Sequence, residues 1–167
     1  MQLNRAYDAT LSLIPSGPAG ILETLRVMKR LARDGKKNLT VRNTAMNLTQ
    51  GCGQKDYACE VRTLHAFVRD QIRYIGDIAG VETVQAPEVT LQLRAGDCDD
   101  KATLIMAMLE SIGHPCRFRA IGFSPDVYEH VYAETKIGAQ WVPLETTEPV
   151  NVGWQPNPRA IMASMYY

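Results

Sequence analysis

The segment Arg94-Ala95-Gly96-Asp97-Cys98-Asp99-Asp100-Lys101-Ala102 holds the residues best suited to covalent chemistry in this chain. Gly96 permits a sharp turn, and Cys98 falls at the first turn of a predicted helix. Unpaired N–H groups and the positive end of the helix dipole stabilise a thiolate there, and the same N–H groups can hold a developing oxyanion. Acyl transfer needs both features at one spot. The flanking aspartates pull the other way, because Asp97, Asp99 and Asp100 raise a thiol's pKa by like-charge repulsion unless a nearby imidazolium offsets them. They also have a plain role, capping the helix and complementing its dipole. On this motif alone, a nucleophilic Cys98 and a buried Cys98 beside a capped helix start both stay open.

A thiolate needs a base, and the base needs an orienting acid. His65 lies in an amphipathic helix and borders the core. His114 lies in the turn Gly113-His114-Pro115. His130 opens the predicted strand Glu129-His130-Val131-Tyr132-Ala133-Glu134, which turns back near Ile137-Gly138 into Trp141-Val142-Pro143-Leu144-Glu145. A turn about Ile137-Gly138 makes 136 face 139, 134 face 141 and 130 face 145. His130 and Glu145 then become cross-strand neighbours on one face, with Cβ atoms roughly 5 Å apart. The alternative is a surface His–Glu pair of little energetic worth.

The elements that must position these groups follow from periodicity. Pro18 opens a helix that Ile21, Leu22, Leu25, Met28 and Ala32 continue and Gly35 stops. A weaker helix covers 41–49. Tyr57, Val61, Leu64, Val68, Ile72 and Ile75 form one apolar stripe on a helix ending near Gly76. Residues 77–95 read as irregular, with an apolar run at 89–93. Ala102, Ile105, Leu109 and Ile112 line one face of the helix after Gly96, which Gly113 and Pro115 end. Alternation then marks strands near 116–121, 129–134 and 141–145. Helices followed by antiparallel strands predict an α+β fold with helices on one side of a small sheet. The tail, with Trp154 and Ile161-Met162-Ala163-Ser164-Met165-Tyr166-Tyr167, reads as an arm that docks on its own domain or on a partner.

Composition narrows the function. Lys+Arg and Asp+Glu are both 18, so no basic field exists to hold nucleic acid non-specifically. No apolar run approaches a membrane span, and the N-terminus carries no secretion signal, so a cytoplasmic location is expected. Cys52, Cys59, Cys98 and Cys116 form no C-x-x-C pair, which argues against structural zinc. Reduced thiols are the expectation, with a Cys52–Cys59 pair arising only in an oxidising medium.

Gly96-x-Cys98 opening a helix, then Glu129-His130-Val131-Tyr132-Ala133-Glu134, then Trp141-Val142-Pro143-Leu144-Glu145-Thr146-Thr147, resemble the core of the transglutaminase-like superfamily in order and spacing. The helix ending Ile72-Arg73-Tyr74 resembles the one that precedes the family's cysteine. The resemblance spans residues 57–148 and implies a papain-like fold using a Cys-His-Asp triad through a thioester. Cys98 matches the nucleophile and His130 the base. Glu145 stands where the family usually has Asp, and its extra methylene moves the carboxylate. Tyr74 and Gln92 are candidate second oxyanion donors. Tyr74 also reads as a half-buried core tyrosine and Gln92 as a solvent-facing residue. The wording Gly-Asp-Cys-Asp-Asp-Lys-Ala is similar to versions carried by tailed phages and prophages.

The resulting division is a helical extension over 1–55, a transglutaminase-like core over 56–148 and a C-terminal arm over 149–167. Expected is a cysteine acyl-transfer enzyme (peptidase, amidase or cross-linker) acting on protein or peptide. The alternative is a virion head or tail component of the same fold with weak or no catalysis, its partners met through the arm and its location the virion. No cofactor is expected. A minority reading gathers Asp97, Asp99 and Asp100, with Asp126 and Glu129, around calcium.

Overall fold

Residues 17–76 and 83–167 are described by a computed structural model. Expectations placed on residues 1–16 and around Gly80 lie outside the described residues. Helix α1 (Pro18–Gly35) begins on its proline and buries Leu25, Met28 and Ala32. Helix α2 (Leu39–Thr49) is capped by Asn38, whose side chain accepts from the N–H groups of Thr40 and Val41. Helix α3 (Tyr57–Gln71) is capped by Asp56. Cys52 and Cys59 form a disulfide across the α2–α3 turn with Cα atoms 5.7 Å apart, which corrects the expectation of two free thiols.

The predicted stripe ran to Gly76, but α3 stops at Gln71. Ile72 stays buried while its backbone turns extended, and Arg73–Tyr74 (β1) pairs in parallel with Ala95–Gly96 (β2). The side chain of Lys101 ends the helix by donating to the carbonyls of Ile72 at 2.7 Å and Arg69 at 3.4 Å. A second correction concerns 77–95, where residues Pro87–Leu93 form a short helix, α4. Its proline fits the first helical position, but seven residues are too few for periodicity to declare themselves.

Helix α5 (Cys98–Ser111) is central. The sequence pattern marks one apolar face, yet every residue from Asp99 to Leu109 is buried, as expected of a helix surrounded by protein. Around it lie α1, α2, α3 and α4 on one side and the sheet on the other. The sheet contains β3 (Cys116–Gly122), β4 (His130–Ile137), β5 (Gln140–Leu144) and β6 (Ala163–Tyr166) in the order β5-β4-β3-β6, all antiparallel. Phe118, Ala120, Val131, Ala133 and Leu144 bury its inner face in the same core as α5. The C-terminal arm docks on its own domain, with β6 pairing against β3.

The β4–β5 register differs from the arithmetic. Ile137 pairs with Gln140 and Ala133 with Leu144, around the two-residue turn Gly138-Ala139. Gly138 has φ 60°, the positive value that a type II′ turn requires at its first central position. Continued, this ladder sets Glu145 opposite Tyr132, two residues from the predicted partner. A two-residue shift preserves the face, so Glu145 still shares a side with His130.

Candidate active site

Cys98 is the first residue of α5. Asp97 caps the helix: its carboxylate accepts the Asp100 N–H at 3.1 Å, and Asp100 accepts the Asp97 N–H in return. Asp100 also accepts two bonds from Gln85, at 2.6 and 2.7 Å, so its carboxylate is shared between the cap and Gln85. A Cβ on Gly96 would lie 2.5 Å from that of Asp100, which explains the glycine before this cap. The thiol of Cys98 lies 3.4 Å from Asp99 Oδ1, and the backbone N–H of Val131 favours its ionised form. Burial, then the charges of Asp99 and Asp97, push this thiol well above the ordinary cysteine range. At neutral pH the resting group is therefore a thiol, which the acidic flanks in the sequence foreshadowed.

One residue before Val131, His130 Nε2 lies 2.6 Å from Glu145 Oε2. Glu145 is 1% exposed. Its other oxygen accepts the Thr147 N–H at 2.7 Å and the Thr147 hydroxyl at 2.6 Å. Burial works against the carboxylate, but the hydrogen bond and charge of His130 together with the two Thr147 bonds outweigh it and hold the carboxyl below its usual range. With Nε2 engaged, Nδ1 is the imidazole nitrogen not used by Glu145. The arrangement fixes the ring's tautomer and can stabilise an imidazolium.

Two positioning residues escaped the sequence reading. His65, on α3, bonds the carbonyl of Glu145 through Nε2 and so anchors the segment after β5. Burial lowers its pKa, so the neutral ring donates to that carbonyl. A buried polar residue on the core edge of an amphipathic stripe was the available signal. Lys101, 2% exposed, holds the end of α3 and hence the start of β1, beside the Gly96 turn. A lysine followed by the apolar run Ala102 to Leu109 was its only mark in the sequence.

A cleft of about 480 Å³ opens beside the His130–Glu145 pair, walled by Tyr74, Phe123 and Trp154. Cys98 is half-buried and does not contribute to its wall. Tyr74 is 55% exposed, which replaces the core reading with a place at the cleft. Gln92 lies on the exposed side of α4 and does not line it. Ligand atoms of Asp97, Cys98 and Asp99 lie within 4.8 Å of one another, but two carboxylates and a sulfur suit calcium poorly. Asp100 accepts from Gln85, and Glu129 accepts the Phe123 N–H at 3.1 Å within its own loop. No helix among the described residues is long and apolar enough to cross a membrane.

The model of the transglutaminase-like superfamily matches residues 42–146, more than half of the chain. No curated protein matches the sequence. Among solved structures, a "putative protease" from Parabacteroides distasonis superposes with a TM-score of 0.61 at 14% identity, covering 74% of this chain and 26% of that one. A "putative cysteine protease" from Cytophaga hutchinsonii superposes with a TM-score of 0.55 at 18% identity, covering 75% of this chain and 42% of that one. At these identities the likeness is one of fold, and the chain spans less than half the length of either relative.

Proposed function

The chain belongs to the transglutaminase-like superfamily, and from that premise we propose that it is a cysteine-dependent acyl-transfer enzyme acting on peptide or protein amides. The observation that carries the proposal is the 2.6 Å bond between His130 and the buried Glu145, one residue from Val131, whose backbone N–H favours the thiolate of Cys98 at a helix start. Because the thiol rests protonated, Nδ1 of His130 takes the Sγ proton as the sulfur bonds to the substrate carbonyl carbon and the carbonyl electrons move to oxygen. N–H groups at the start of α5, with Tyr74 as a second donor, stabilise that oxyanion. His130 returns the proton to the leaving nitrogen as the C–N bond breaks, leaving a thioester on Cys98. Water or an amine then adds, His130 takes its proton, the C–S bond breaks and the sulfur is reprotonated. Glu145 holds the ring and stabilises the imidazolium at both stages.

A second reading is a phage virion component that keeps the fold without turnover. It is favoured by the elevated Cys98 thiol and by the position of Cys98 outside the cleft wall. The two part on one experiment: release of amine or cross-linked product from a library of peptide amides, with Cys98→Ser and His130→Ala measured beside their melting curves. Product from the parent and none from two folded variants supports the enzyme. No product from the parent, with host complementation that neither substitution alters, supports the scaffold.

A further inference from the structure

Three large aromatic side chains that a folded chain would ordinarily bury are exposed and converge on the cleft from separate segments: Tyr74 after α3, Phe123 after β3 and Trp154 in the C-terminal arm, at 55%, 43% and 42% exposure. Each is held by something other than burial. Tyr74 is set by the β1–β2 pairing, and Phe123 by the bond from its N–H to Glu129. Trp154 is set by its N–H bond to the Asn151 carbonyl at 3.2 Å, next to Gly153, whose N–H bonds the Pro143 carbonyl at 2.9 Å. Thus the arm, which lies outside the catalytic elements, supplies a wall of the cleft. The volume, about 480 Å³, falls in the usual ~300–1,000 Å³ span of ligand pockets.

The charges in this wall are unbalanced. His130 and Glu145 answer each other. Glu148 also lines the cleft, is exposed, and enters no ion pair among the described residues. Among the described residues, no lysine or arginine lines it. Aromatic faces and a carboxylate together favour a cation on an apolar stem, since ring quadrupoles and a negative charge both attract it and the stem covers apolar surface. Resting on the acyl-transfer reading for the neighbouring His130, we propose that this cleft is the subsite for a primary alkylammonium group of the peptide substrate. Its methylenes lie against Trp154 and Phe123 and its ammonium meets Glu148.

Binding tests this without relying on turnover. Cys98→Ser protein is titrated calorimetrically with three short peptides: an N-acetylated lysine peptide, its N-acetylated norleucine analogue, and the norleucine peptide with a free N-terminus. Lysine should bind about tenfold more tightly than acetylated norleucine at low salt, with the gap narrowing as salt rises. A similar gain for the free N-terminus identifies the chain end as the natural ammonium; a gain for lysine alone identifies the side chain. Either supports the proposal. In Glu148→Gln the ammonium peptides should fall to the norleucine level, while Trp154→Ala should weaken all three. Equal binding of all three peptides, a preference that survives Glu148→Gln, or no binding of any of them overturns it. Failure of the acyl-transfer reading looks different, because the binding pattern would then stand while Cys98→Ser changed no activity.

Discussion

Two histidine–glutamate pairs with the same 2.6 Å contact lie near opposite ends of α5. His130 meets Glu145 near its first residue, Cys98, while His114 meets Glu60 just past its last turn, close to Cys116. Each end of the helix thus has a histidine, an acid and a cysteine, so these three groups do not by themselves make a site. The helix distinguishes them. Its N-terminal end presents unpaired N–H groups and positive potential, and its C-terminal end presents carbonyls and negative potential. Surroundings add to this: a cleft opens beside His130, whereas His114 is packed edge-on against Tyr57 at 5.6 Å and buried Cys116 begins β3 with its thiol directed at the His114 carbonyl.

The largest expected contrast is in turnover. Cys98→Ser should lower it at least ~10³-fold with little change in melting, because the near-isosteric residue leaves the Asp97 cap intact. Cys116→Ser should leave turnover alone but cost about 1–3 kcal/mol, because it puts a hydroxyl into the core. Melting curves and turnover of the two proteins, measured together, break the comparison if the effects are reversed or equal.

The carboxylates give the next contrast. Glu145→Ala should cost roughly 10²–10⁴-fold in turnover by releasing the His130 ring. Glu60→Ala should leave turnover unchanged and destabilise by about 1–3 kcal/mol, since it strips buried His114 of its partner. Glu145→Asp should keep the fold and alter activity only modestly. Full activity in Glu145→Ala would assign the third role elsewhere.

Alkylation sharpens the comparison at lower amplitude. Burial pushes the Cys116 thiol up to about 12, and burial with Asp99 and Asp97 pushes Cys98 up as well. Neither should label as a ready thiolate near neutrality. Cys98, half-buried at the start of α5, should still label faster than buried Cys116, with a rate that rises with pH and falls in His130→Ala. Equal rates at both cysteines, read by peptide mapping, would remove the distinction.

The smallest effect is on acid stability. Glu145 has a carboxyl pKa held below its ordinary value in the folded state, so it stabilises the fold above the ordinary carboxyl range. That contribution should decline as pH falls through the ordinary range toward the lowered folded value. Chemical denaturation in parent and Glu145→Gln should therefore converge as pH drops; a gap that widens toward acid would contradict the sign.

Much of this was legible in the residues. Helices with long apolar stripes and clear stops, such as α1, appear within a residue of expectation, and alternation located β3, β4 and β5. The His130–Glu145 pair was recovered although the register was two residues off, because parity alone decides which face a strand residue takes. What could not be read depended on contacts distant in sequence. Lys101 ends α3 from another helix, so the apolar stripe overran its true end. The Cys52–Cys59 pairing needed the α2–α3 turn to bring the two residues together. Tyr74 became a cleft residue only because β1 pairs with β2, and Trp154 only because the arm folds back over the sheet.

The central claim, that Cys98 carries the acyl group under the control of His130 and Glu145, is tested most directly by trapping the intermediate. Protein mixed with a library of short peptide amides is quenched in acid and mapped by mass spectrometry. The account predicts a hydroxylamine-labile acyl group on Cys98 alone, absent in Cys98→Ser and strongly reduced in His130→Ala. An unmodified Cys98 across the library, or an adduct that forms equally well without His130, would contradict it.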